Sequence, residues 1–173
     1  MKMHVLITGK PRTGKTTLIK KVIEACGPAC GGFYTEEIIR KGQRVGFLIR
    51  TTEGREAILA EKGLSSPFRL GKYGINCQNL DKIGVAAVEK ALRNKEIIIV
   101  DEIGKMELFS PGFKDVVMRA LDSGKRVAGV IHQAEWAFLE AIRKRPDVQI
   151  LEVDGLNNSL VWEKIKSIFG LQE

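Results

Sequence analysis

Eight consecutive residues, Gly9-Lys10-Pro11-Arg12-Thr13-Gly14-Lys15-Thr16, place two glycines, a lysine and a hydroxyl at the spacing Gly, four of any type, Gly-Lys-Thr. That set suits a polyphosphate. The glycines let the backbone curl until successive N–H groups face one concavity, which attracts anions. A helix leaving the loop adds its unpaired N–H groups and the positive end of its dipole. Lys15 carries a full charge to the outer phosphates, Thr16 offers an oxygen to Mg²⁺, and Thr17 falls near the innermost phosphate. Arg12 beside Pro11 either adds charge near the phosphates or faces solvent. The whole run Gly9 to Thr17 is read as nucleotide-binding.

A second chemical feature lies at Asp101-Glu102, directly after the apolar run Ile97-Ile98-Ile99-Val100. A carboxylate ending a buried parallel strand reaches the edge where open α/β sheets bind ligands. Asp101 is placed to hold Mg²⁺ with Thr16, directly or through water. Adjacent strand residues point differently, so Glu102 is free to polarise a water aimed at the terminal phosphate, as a general base. Gly104, read with Asp101 and Glu102 as nucleotide-binding, and Lys105 follow, with Lys105 either touching a phosphate or exposed. Glu107 reads as a helix-approach or surface charge. His132 ends the next strand, where it either senses the terminal phosphate or is structural. Catalytic weight is assigned to Glu102 and Lys15, the metal to Thr16 and Asp101.

Elements that would position these groups can be read around them. Val5 to Thr8 is a short buried strand entering the loop, and Lys15 to Glu24 the helix leaving it. Gly31 to Glu37, Arg44 to Thr51 and Glu56 to Ala60 read as three strands joined by hairpin turns at Gly42 and Glu53-Gly54. Residues 62–79 show no periodicity and read as an irregular loop. Asn79 or Asp81 caps a helix reaching about Arg93. Ile97 to Val100 is a parallel strand buried on both faces. Ser110-Pro111 is an N-cap with Pro at the first helical position, and Gly124 stops that helix. Val127 to Ile131 and Val148 to Val153 are strands; Ala134 to Arg145 and Ser159 to Phe169 are helices. Alternating strands and helices predict a mainly parallel α/β sheet flanked by helices on both faces. The expectation is one P-loop NTPase domain over residues 1–173, with a β-hairpin insertion at about 31–61.

Composition narrows the classes. The chain has 173 residues, 44% of them hydrophobic and 28% charged, which fits one soluble globular domain. No apolar run approaches the ~20 residues of a membrane span, and the N-terminus lacks the pattern of a signal peptide; a cytoplasmic location is expected. Cys26, Cys30 and Cys77 are an odd number without metal-ligand spacing, so reduced thiols are expected. The net charge of +7 suits polyanions, nucleoside triphosphates and nucleic acids alike, but the basic residues are scattered.

With these pieces in place, the chain resembles the cancer-related nucleoside-triphosphatase family of small P-loop proteins over nearly its full length. The resemblance rests on Gly9 to Leu18, Gly32-Phe33-Tyr34-Thr35-Glu36-Glu37, Gly46-Phe47, Tyr73-Gly74-Ile75-Asn76 and Arg145-Pro146-Asp147-Val148. Most specific is Asp101-Glu102-Ile103-Gly104-Lys105-Met106-Glu107-Leu108-Phe109-Ser110. It implies a RecA-like fold and slow hydrolysis of ATP, GTP and other triphosphates with little base selectivity. Where the family tends to read Glu-Asn-Arg, this chain has Asn157-Asn158-Ser159, so an arginine there is missing. At the His132 position the family often carries other residues. Two alternatives stay open on the residues alone. One is a kinase acting on a nucleoside, nucleotide or metabolite, with Arg69 and Lys72 as its lid candidates. The other is an RNA- or DNA-associated ATPase, supported by charge. Arg119 and Arg126 are the candidates for an arginine finger, and no guanine-specific Asn-Lys-x-Asp motif occurs.

Overall fold

The unbroken β-branched run at Ile97 can be covered only from both sides, and that requirement organises the molecule. In a computed structural model that describes residues 2–172, β1 (His4–Thr8), β2 (Cys30–Arg40), β7 (Ile97–Ile103), β8 (Arg126–Ile131) and β9 (Val148–Glu152) form the parallel part of one sheet. Between β2 and β7 in sequence lie β3 (Gln43–Thr51), β4 (Glu56–Lys62), β5 (Arg69–Leu70) and β6 (Tyr73–Ile75). The spatial order is β5-β6-β4-β3-β2-β7-β8-β1-β9. Met1 and Glu173, the ends of the range expected as one domain, lie outside the described residues.

Alternation along β7 divides the core. Ile97 and Ile99 face one side, where α1 (Lys15–Cys26) contributes Leu18, Ile19 and Val22, and α6 (Asn158–Phe169) contributes Val161, Ile165 and Phe169. Ile98 and Val100 face the other, against α3 (Ala86–Asn94), α4 (Pro111–Asp122) and α5 (Ala137–Arg143). Each fully buried aliphatic side chain contributes roughly 1.5–3 kcal/mol, so the two cores hold the strand ends in fixed positions.

The segment read as an insertion at 31–61 is continuous with the main sheet. Cys30 to Phe33 pair in parallel with Ile97 to Val100, and from Phe33 onward β2 pairs antiparallel with β3. Lys41 and Gly42, both at positive φ (51° and 74°), make the two-residue turn that matches the twist of a hairpin. β4, β6 and β5 then extend the sheet antiparallel.

Three expectations are corrected. Residues 62–79 are not irregular throughout: they contain β5 and β6, too short to show an alternating pattern. The following helix is capped by Asn76, whose side chain accepts from Asn79 N, rather than by Asn79 or Asp81. It begins as α2 (Cys77–Asn79) and runs through a stretch of wider π-type turns (Leu80–Val85) into α3. The helix expected from Ala134 spans only Ala137–Arg143, because residues 132–136 form an irregular connection that ends in extended backbone at Trp136. Ser110 caps α4 as expected, accepting from Phe113 N at 3.0 Å. No described helix is long and apolar enough to cross a membrane.

Candidate active site

Parallel order brings the ends of β1, β7 and β8 to one edge of the sheet. The Gly9–Thr16 loop follows β1, Asp101 and Glu102 end β7, and His132 follows β8. Together they border a cavity of about 1120 Å³.

The loop turns as its glycines allow. Gly9 has φ +152°, and a Cβ there would meet the Val153 carbonyl oxygen at 2.4 Å. Gly14 caps α1 at φ 90° and ψ 22°, in the left-handed region. Arg12 also takes positive φ, 64°, and reaches the cavity. Lys15 Nζ folds back over the loop and donates to the carbonyls of Gly9 (2.8 Å) and Lys10 (2.6 Å), while Thr13 Oγ1 donates to the Lys10 carbonyl at 2.8 Å. Pro11, Thr16 and Thr17 line the cavity as well.

Thr16 Oγ1 donates to Asp101 Oδ2 at 2.8 Å, joining the start of α1 to the end of β7. Asp101 is only 2% exposed. Burial, reinforced by the neighbouring Glu102 charge, pushes its carboxyl up to about 8. Burial also raises Glu102, against the pull of Lys15, and lowers Lys15 itself. Asp101 is buried and Glu102 half-buried, yet the two are not sent to opposite faces as strand alternation predicts. A register shift between Asp101 and Ile103 interrupts the β7–β8 ladder, and both carboxylates line the cavity.

Glu107 is the main correction at the site. It reads as a surface charge, yet it is 3% exposed and lines the cavity beside Glu102. A short 3-10 turn, Glu107–Phe109, tucks it under β7. A Cβ on Gly104 would sit 2.8 Å from Glu102 Oε1 and 3.0 Å from Glu107 Oε2, so Gly104 is the spacer between two carboxyls and not part of the cavity wall. Burial, then the charges of Glu102 and Asp101, hold Glu107 well above the usual carboxylate range.

Lys105 and His132 both line the cavity. Lys105 Nζ lies 5.6 Å from the Trp136 ring centroid, a cation–π contact. His132 Nδ1 accepts from Ala134 N at 3.0 Å, and burial with Lys105 and Lys15 nearby lowers its pKa. Neither arginine-finger candidate is near. Arg119 pairs with Asp115 and Glu89 on the outer face, and Arg126, at the opposite end of β8, donates to the Phe169 carbonyl. Of the lid candidates, Arg69 bonds the carbonyls of Leu64 and Lys72, whereas Lys72 lines the cavity.

Asn158 was missed by its type alone. Its Nδ2 donates to the Thr13 carbonyl at 2.7 Å and so braces the loop from the first turn of α6. No local pattern signals a contact across 145 positions.

A phosphate loop between strand and helix, facing carboxylates at the end of a neighbouring parallel strand, defines a P-loop NTPase. Comparison with known proteins narrows the class. A family model described as NTPase matches residues 4–166. The chain is 47% identical over 166 residues to the nucleoside-triphosphatase THEP1 of Thermotoga maritima, covering 96% of this chain and 95% of that one. The crystal structure of THEP1 from Aquifex aeolicus superimposes with a TM-score of 0.89 at 37% identity, covering 96% and 98%. The solution structure of a human cancer-related nucleoside triphosphatase gives 0.79 at 33% identity, covering 96% and 97%. The chain belongs to this NTPase family and is an enzyme that hydrolyses nucleoside triphosphates.

Proposed function

We propose that the chain releases the γ-phosphate of ATP, GTP and other triphosphates in a Mg²⁺-dependent reaction of slow intrinsic turnover, with little preference among bases. The observation that carries this reading is the pair of acidic side chains facing the loop: Asp101, bonded to Thr16 at 2.8 Å, and Glu102 in the same cavity.

The donor set suits Mg²⁺. It is a hard cation that takes oxygen ligands and is bound by one or two carboxylates plus substrate phosphates. Thr16 Oγ1 and Asp101 Oδ2 are two oxygens already in contact. When bound, the ion neutralises charge developing on the β- and γ-phosphates. The chain's own groups do the rest. Backbone N–H groups of the Gly9–Thr16 loop and the N-terminus of α1 hold the phosphates, and Lys15 exchanges its bonds to Gly9 and Lys10 for the outer phosphate oxygens. Glu102, made more basic by burial, accepts the proton of the attacking water. Among the described residues only Arg12 and Arg44 are arginines lining the cavity, and neither Arg119 nor Arg126 reaches it, which supports slow turnover, since an arginine finger is worth about 10³–10⁵ in rate.

Phosphate release from ATP, GTP, CTP and UTP, each with Mg²⁺ and with EDTA, tests the reading. The expected result is release from all four at rates within about one order of magnitude, abolished by EDTA. Release from a single triphosphate, or release that ignores EDTA, contradicts it.

A further inference from the structure

The cavity does not end at the phosphate loop. Its far half is walled by the antiparallel extension, with Phe47 on β3, Leu59 on β4, Leu70 on β5, Tyr73 on β6, and Met106 beyond β7. The Phe47 and Tyr73 rings meet edge to face, centroids 5.5 Å apart at 63°. Arg44 covers that corner, its guanidinium carbon 5.1 Å from one centroid and 5.8 Å from the other. Nε donates to the Tyr73 hydroxyl at 3.1 Å, and Nη1 lies 3.4 Å from Glu37. The aromatic corner is thereby fixed in orientation.

Three cations stand at its rim. Lys62, Lys72 and, across the opening, Arg12 border both this cavity and a neighbouring cleft of 630 Å³. Among the described residues, none of their side chains has a hydrogen-bond or ion-pair partner. Hydrolysis calls for none of this: a water molecule needs a base and little space, whereas cavities of about 300–1,000 Å³ hold whole small ligands.

Position decides which end of the nucleotide this half adjoins. Lys15 and the Thr16–Asp101 contact mark the outer phosphates, and the sheet order puts Asp101's strand β7 next to β2 and the extension, with β1 and β9 on its other side. The aromatic corner therefore lies past Asp101, on the side away from the phosphate loop's strand β1, and the nucleoside is taken to lie on the β1 side.

We propose that this half of the cavity is a second ligand site for a flat aromatic ring carrying a phosphate group, of the nucleoside monophosphate class. The ring rests on Phe47 and Tyr73, and the phosphate lies among Lys62, Lys72 and Arg12. The inference rests on the phosphate-loop reading in one respect: the triphosphate fills the other half.

The test is calorimetric titration of AMP and, separately, UMP into the whole chain already saturated with Mg²⁺ and the non-hydrolysable analogue AMP-PNP. One further equivalent of monophosphate is expected, bound at about millimolar affinity or better. Removing a stacking ring or a charged hydrogen-bond donor weakens binding about tenfold or more. Phe47→Ala and Lys72→Ala are each expected to weaken AMP about tenfold more than they weaken AMP-PNP. Lys72 lies on the rim, so its variant reports even where Phe47→Ala folds poorly. The proposal is overturned by one-for-one displacement of AMP-PNP, by no second equivalent of either probe at about 10 mM, or by a second equivalent that both substitutions leave unchanged. Failure of AMP-PNP to bind at all is a different result, which counts against the phosphate-loop reading.

Discussion

Gly14 and Asn158 meet at the base of the phosphate loop, and their coupling can be worked out from distances. A Cβ added at Gly14 would lie 2.6 Å from Asn158 Nδ2, and the residue's φ of +90° disfavours any side chain. The left-handed backbone costs about 1–2 kcal/mol for alanine. Displacing the Asn158 amide also breaks its bond to the Thr13 carbonyl, worth about 1 kcal/mol. Gly14→Ala is therefore expected to lower the unfolding free energy by about 2–3 kcal/mol, and Asn158→Ala by about 1 kcal/mol. In the double variant the hydrogen bond is lost only once and the clash is gone. Its loss should equal that of Gly14→Ala alone, a coupling of about 1 kcal/mol. Gly124→Ala supplies the backbone contribution by itself, since its φ is +77° and nothing lies within 4 Å of the added Cβ. Denaturant unfolding at saturating Mg²⁺ and AMP-PNP captures the loss whether it appears in the free loop or in the bound one. Additive effects of the two substitutions, or a Gly14→Ala loss no larger than that of Gly124→Ala, would refute the contact.

Thr16→Ala removes the hydroxyl that bonds Asp101 and leaves a buried carboxylate oxygen short of a donor, at about 1–3 kcal/mol. The tightening of AMP-PNP binding by Mg²⁺ over EDTA should fall about tenfold or more; an unchanged ratio removes Thr16 from the metal site. His4 is 2% exposed, with Nε2 at 2.9 Å from the Leu121 carbonyl and Nδ1 accepting from Val127 N, so the neutral ring fits and burial lowers its pKa below 6.5. The unfolded chain then binds the proton more readily. Stability from this group is complete above pH 6.5 and declines as pH falls below it, by at most about 1.4 kcal/mol per unit. Between about pH 8 and about pH 5 the wild type should lose more stability than His4→Gln, and that difference isolates His4 from Asp101 and His132, which titrate in both proteins. Ser110→Ala removes both the cap of α4 and the 2.5 Å bond to Asp81, and a loss of about 1–2 kcal/mol in thermal unfolding is expected.

What could be read from the sequence was whatever is encoded contiguously. The Gly9–Thr16 loop, its strand and its helix follow one another along the chain, and the four apolar residues before Asp101 announce both a buried strand and its end. Glu107 escaped because a charge in sequence gives no sign of burial; only the 3-10 turn after β7 carries it under the sheet. Asn158 escaped because its partner Thr13 is brought near by the crossing of α6 over β1. β5 and β6 contain two and three residues, fewer than an alternating pattern needs. The cap at Asn76 lies a turn before the Asn79 and Asp81 read as candidates; all three suit a cap by type, and the choice depends on backbone geometry that residue identity does not record. The lower half of the cavity was thus legible, while the aromatic corner, assembled from β3, β4, β5 and β6, was not.

Hydrolysis by Glu102 is tested most directly in a single turnover. Wild type and Glu102→Gln are each mixed in excess with γ-labelled ATP and Mg²⁺, and labelled phosphate is followed over time alongside AMP-PNP affinity. A general base contributes about 10²–10⁴-fold, so the variant should bind AMP-PNP within a few-fold of wild type and release phosphate slower by that factor. Release by Glu102→Gln at the wild-type rate, with binding intact, contradicts the assignment.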